Sequence, residues 1–75
     1  MPKLPRVPAS LVVKVFHRAG FYEYHQSGSH IQLRHVTNTA LRVTIPYHNK
    51  DLNPKTLKTI LKQAGISVQK FIDLI

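Results

Sequence analysis

Cysteine is absent from the 75-residue chain, so neither a disulfide nor a thiolate metal site can brace the fold, and the composition says nothing about redox compartment. Acids are nearly absent too: Glu23, Asp51 and Asp73 are the whole set, scattered along the chain. Two-metal nucleases gather several carboxylates around Mg²⁺, so this acid content argues against a metal nuclease and predicts no metal site. No apolar run approaches the ~18 residues of a membrane span. The opening MPKLPRVPAS lacks the continuous apolar segment of a signal peptide. The chain therefore reads as a cytoplasmic protein with no membrane contact. Repeats, low-complexity tracts and any sign of a second domain are also missing, so residues 1–75 read as one domain. A domain of this size buries on average only about 60% of the surface its unfolded chain exposes. Its stability must come from close packing.

What is present is positive charge. Lys and Arg number 11 against 3 acids, a formal net charge of +8, and such a surface attracts polyanions in a salt-dependent way. Nucleic acid is the first candidate partner and an acidic protein the second. Five histidines accompany the charge, His17, His25, His30, His35 and His48. Imidazole alone among side chains titrates near neutrality without help, so any hydrolytic chemistry would use these as proton carriers.

Three prolines within Met1 to Pro8 predict an extended N-terminal arm. From Ser10 to Ala19, Leu11, Val12, Val15, Phe16 and Ala19 fall on one helical arc, with Lys14, His17 and Arg18 opposite. Gly20 supplies the left-handed stop, and Phe21 follows where an apolar residue folds back on the last turn. Phe21 to Gln26 reads as a strand, Ser27 to Ser29 as a turn centred on Gly28, and His30 to Val36 as a second strand. In that strand Ile31 and Leu33 share one face, while His30, Gln32 and Arg34 share the other. A turn at Thr37 to Thr39 leads to a third strand, where Leu41, Val43 and Ile45 alternate with Arg42 and Thr44 until Pro46.

Asn53 and Pro54 form the cap and first turn of a second helix. Along it Leu57, Ile60, Leu61 and Ala64 point one way and Lys55, Lys58 and Lys62 the other, before Gly65 ends it. Ser67 caps a short final helix with Val68, Phe71, Ile72 and Ile75 on one face. Helix, three antiparallel strands, helix and short helix predict an α+β two-layer sandwich. Its apolar sheet face lies under the helices, and the face of His30, Gln32, Arg34 and Arg42 is left to water or a ligand.

On the residues alone, a solvated, turn-flanking imidazole is the commoner reading of His30. His17, His25 and His35 read as surface imidazoles, and His48 as a residue that orders its loop or meets a partner. Tyr22 and Tyr24 suit stacking on unpaired bases, but Phe21 beside them belongs to a core and the parity of this strand is not determined by its pattern. The lysine stripe is either a solvated face or a set of phosphate contacts across a duplex.

Gly20-Phe21 after an amphipathic helix, Gly28-Ser29-His30 opening a strand, Pro46-Tyr47-His48, and the run from Thr56 to Ser67 (TLKTILKQAGIS) together resemble the HicA family of mRNA interferase toxins. The resemblance covers about Ser10 to Ile75. It implies a double-stranded-RNA-binding-domain-like fold, an RNA-cleaving toxin acting on mRNA, a HicB-type antitoxin as partner, no cofactor, and His30 as the catalytic residue. One departure is Lys55, which stands where the family often has Gly. The alternative is a non-catalytic module of the same fold that grips duplex RNA. A third is a protein whose charge serves only to hold an acidic partner.

Cleavage of RNA without a metal uses the ribose 2′-hydroxyl as nucleophile, so one proton must be removed, another supplied, and extra negative charge stabilised. His30 suits one proton transfer. Gly28 lets backbone approach phosphate, turn N–H groups form an anion-binding concavity, and Ser29 adds a hydroxyl. Arg34 and Arg42, by strand parity, are candidates to clamp phosphate. The second proton carrier is left open among His25, His48 and solvent.

Overall fold

The computed structural model describes residues 3–47 and 51–75. The order is α1 (Ala9–Arg18), β1 (Phe21–Ser27), β2 (His30–His35), β3 (Arg42–Pro46), α2 (Pro54–Ala64) and α3 (Val68–Leu74). The strands form one antiparallel sheet in the order β1-β2-β3, with β2 in the middle. This is the expected α+β layout. Among the described residues no helix is long and apolar enough to cross a membrane.

Local chemistry sets the helix ends. The Asn53 side chain accepts from the Lys55 N–H with Pro54 in the first turn, and the Ser67 side chain accepts from the Lys70 N–H. At Gly65 (φ +70) the N–H reaches the Lys62 carbonyl and the Ile66 N–H reaches that of Leu61, the paired bonds of a Schellman stop. Gly20 (φ +93) ends α1 with its N–H on the His17 carbonyl, and the Phe16 and Phe21 rings pack together with centroids 5.2 Å apart. That contact carries the chain from helix into β1.

The core forms between the helices and one sheet face. Phe21, Ile31, Leu33, Val43 and Ile45 supply the sheet side, and Val12, Val15, Phe16, Leu57, Ile60, Leu61, Ala64 and Phe71 the helix side. Burying a side chain of this kind stabilises by roughly 1.5–3 kcal/mol, and no polar or charged residue is buried among them.

Three details depart from the helical-wheel expectation. Val13 is buried although it lies off the predicted arc, because α1 is covered by α3 as well as by the sheet. In α3 it is Phe71 that is buried and Leu74 that packs beside the core, whereas Ile75 is exposed. The N-terminal arm is also partly pinned: the Leu52 N–H donates to the Val7 carbonyl, Pro8 bridges Asp51, and Val7 joins the core.

Candidate functional site

The site begins at the β1-β2 hairpin. Ser27 and His30 are paired, leaving Gly28 and Ser29 as a two-residue turn. Gly28 has φ +58 and Ser29 a negative φ, the sign pattern of a type II′ turn, which takes Gly at its first position. Nothing lies within 4 Å of where a Gly28 Cβ would stand, so the glycine is required by backbone sign and the space beside the turn is open. The Tyr47 N–H donates to the Ser29 carbonyl at 2.5 Å, which ties the chain leaving β3 onto the turn. His30 is exposed at the first position of β2, between its cross-strand partners Ser27 and Pro46.

The register places the other sheet candidates. Paired residues of an antiparallel sheet share a face, so His30, Gln32 and Arg34 lie with Pro46, Thr44 and Arg42 opposite the core. Arg34 and Arg42 stand directly across from one another. Like charges in that relation repel. No acid relieves them on the strands: Glu23 pairs with Leu33, on the core-side parity, where its Oε1 lies 3.7 Å from His17 Nε2. A bound anion would remove the repulsion. Four residues of strand separate Arg34 from His30, about 13 Å at the usual rise. The two arginines therefore stand apart from His30, farther along the same outer face.

The lysines occupy a different part of the molecule. Lys55, Lys58 and Lys62 are exposed on α2, in the helix layer and off the sheet face of His30. The carboxyl end of α2 closes on the His35 end of the sheet, where Gly65 and His35 line one depression.

The histidines separate by surroundings. His17 is a half-exposed imidazole facing Glu23. His25 pairs with Gln32, so it is diagonal to His30 on the same exposed face, with Cα atoms about 7–8 Å apart for such neighbours. His35 is more than a surface imidazole: its Nδ1 accepts from the Thr37 and Asn38 N–H groups at 3.2 and 3.1 Å, and its ring meets Phe21 edge-on with centroids 5.0 Å apart. It organises the β2-β3 connection. His48 lies outside the described residues. Among the described residues no group of three or more His, Cys, Asp or Glu comes together to hold a metal ion.

Sequence reasoning left the parity of β1 open, and the structure shows why. The register shifts between Glu23 and His25, so Tyr24 is an extra residue in the ladder, a β-bulge. Tyr24 keeps the outer-face parity of Tyr22, with the Arg34 guanidinium 4.3 Å from its ring centroid, and the extra residue is what brings His25 onto that face opposite Gln32. Tyr22, paired with Arg34, shares that face. Nothing in the local pattern marks a bulge, which arises from the fit of two strands.

The chain thus presents an exposed imidazole at a glycine turn on a cationic sheet face, and a separate cationic surface on α2. No curated protein matches the chain. A family model described as the HicA toxin of bacterial toxin-antitoxin systems matches residues 9–66, which takes in α1, the whole sheet and α2. The chain belongs to the HicA family of toxins of bacterial toxin-antitoxin systems.

Proposed function

We propose that the chain is an endoribonuclease that cleaves mRNA without a metal, uses His30 as its proton-transfer residue, and is neutralised by a HicB-type antitoxin. HicA toxins are generally mRNA interferases, which supplies the substrate class. The observation that carries the reading is the placement of His30: exposed, beside the open Gly28-Ser29 turn, on a sheet face whose charged residues are cations.

The ribose 2′-oxygen attacks the adjacent phosphorus as the bond to the 5′-oxygen breaks, leaving a 2′,3′-cyclic phosphate and a 5′-hydroxyl. One proton leaves the 2′-hydroxyl and one reaches the 5′-oxygen. His30 performs one of these transfers, a contribution of typically ~10²–10⁴-fold. Among the described residues His25, diagonal to His30 on the same face, is a candidate for the other, beside solvent. The turn N–H groups and the Ser29 hydroxyl hold the phosphate, and Arg34 with Arg42 grips the next one along.

The test is incubation with an RNA oligomer and its 2′-deoxy equivalent in EDTA. Cleavage of the RNA alone, ending in a cyclic phosphate, is expected, together with its loss in His30→Ala. Cleavage of both oligomers, or inactivation by the chelator, contradicts the mechanism. For the partner, co-expression of a HicB-type protein should relieve growth arrest; arrest that persists while a complex forms removes the antitoxin from the reading.

The lysines on α2 favour a second reading, a non-catalytic module that binds duplex RNA, since they lie apart from His30. It predicts salt-sensitive binding without product.

A further inference from the structure

Tyr24, Gln32, Arg42 and Thr44 of the outer sheet face, together with Val43 and, from α2, Gln63, line a hollow of about 290 Å³. Gln32 is two residues from His30 along β2, about 7 Å, on the scale of one nucleotide. We propose that this hollow is a base-recognition subsite that takes an unpaired nucleobase flanking the cleaved phosphate; the inference rests on the ribonuclease reading above.

Three features select that ligand. The Tyr24 ring lies on the outer face with 40% of the residue exposed, and the bulge leaves Tyr24 opposite no residue of β2 in the ladder. The Arg34 guanidinium lies 4.3 Å from the ring centroid, which fixes the ring in place and leaves it as a stacking surface. The Arg34 Nε is buried without a hydrogen-bond partner among the described residues, so this cation is held by the ring and not by an acid.

The rim of the hollow is polar in the way a base edge needs. The side chains of Gln32, Thr44 and Gln63 line it and make no hydrogen bond to another described residue. Each amide offers a donor and an acceptor together, the combination that reads the edge of a base. A paired base presents neither a free face for Tyr24 nor a free pairing edge for the amides, so the ligand is single-stranded. The volume is at the small end of ligand sites, roughly 300 Å³ upward, which suits one base. Arg42 stands at the same hollow to meet the attached phosphate.

The site makes cleavage position-specific, and two measurements test it. In the His30→Ala background, where product does not form, binding of a mixed-sequence single-stranded RNA and of its fully paired duplex is compared with and without Tyr24→Leu. Losing the ring should weaken single-strand binding roughly 5- to 150-fold, the range of one base-aromatic stack, and leave duplex binding unchanged. Tyr24→Phe, which keeps the ring, should retain the affinity. With His30 intact, Gln32→Ala should change the base preference at one position beside the cut while the product ends stay the same. Unchanged single-strand affinity in Tyr24→Leu, or an unchanged cut-site profile in Gln32→Ala, overturns the subsite. Loss of antitoxin binding with RNA binding intact would reassign the face to a protein contact and also overturn it. If the native protein cleaves nothing while Tyr24-dependent binding persists, the ribonuclease reading fails and the base site stands. His30-dependent cleavage that is indifferent to Tyr24 and Gln32 removes the base site and leaves the ribonuclease reading standing.

Discussion

His30 and His35 begin and end the same strand, and replacing each by Ala should have opposite consequences. The His35 ring accepts two backbone N–H bonds at Nδ1, and the Thr37 hydroxyl lies 3.1 Å from the same atom. Each such bond contributes about 0.5–1.5 kcal/mol net. The edge-on contact with Phe21 adds about 0.5–1.5 kcal/mol beyond the area it buries. His35→Ala should therefore cost about 2–4 kcal/mol, with water recovering part of the lost bonding at this half-buried position. That is a large share of a total near 4–11 kcal/mol expected for about 75 residues. At about 4–8 °C per kcal/mol, Tm should fall by at least ~8 °C.

His30 is exposed and lies off the core, so His30→Ala should lower stability clearly less than His35→Ala. Its effect should fall on cleavage, a loss of roughly 10²–10⁴-fold. Thermal unfolding followed by circular dichroism gives the first quantity for both variants. Cleavage of one RNA, measured well below the lower Tm, gives the second. A folded His35→Ala protein that does not cleave, or a His30→Ala protein that melts as early as His35→Ala, would refute the assignment of one histidine to chemistry and the other to structure.

Gly20 and Gly28 both have positive φ, so alanine at either should cost about 1–2 kcal/mol in backbone strain. At Gly20 the new Cβ would also stand 2.9 Å from His35 Nε2, whereas Gly28 faces open space; urea midpoints should fall further for Gly20→Ala, and equal losses would contradict the packing around His35. Replacing Lys55, Lys58 and Lys62 by Gln should lower the slope of log affinity against log salt for duplex RNA by about 1 for each phosphate contact removed. An unchanged slope would assign the stripe to solvent.

Much of the fold is legible from neighbouring residues. Asn53-Pro54, Ser67, Gly65 and Gly20-Phe21 mark helix ends because capping bonds and left-handed stops form within one turn of chain. The parity of β2 and β3 is equally local, since alternation assigns Ile31, Leu33, Val43 and Ile45 to one face without knowledge of the partner strand. The same alternation puts His30, Arg34 and Arg42 on the outer face. How far Arg42 stands from His30 is not local, because it depends on which residue of β3 meets which of β2.

The bulge at Tyr24 is a fit between two strands and leaves no mark in the composition of either. Val7 joins the core only because the arm is pinned to Leu52, far along the chain, and Val13 because α3 returns to cover a second side of α1. His35 owes its structural role to a meeting of Gly20, Phe21 and the Thr37-Asn38 turn. By itself the sequence determined the order and ends of most elements, the cationic character, the family resemblance and a single candidate histidine, all properties of backbone preference or composition. The tertiary structure decided strand register, and with it the apposition of Arg34 and Arg42 and the placing of His25 on the outer face, since register is set by pairing between distant segments.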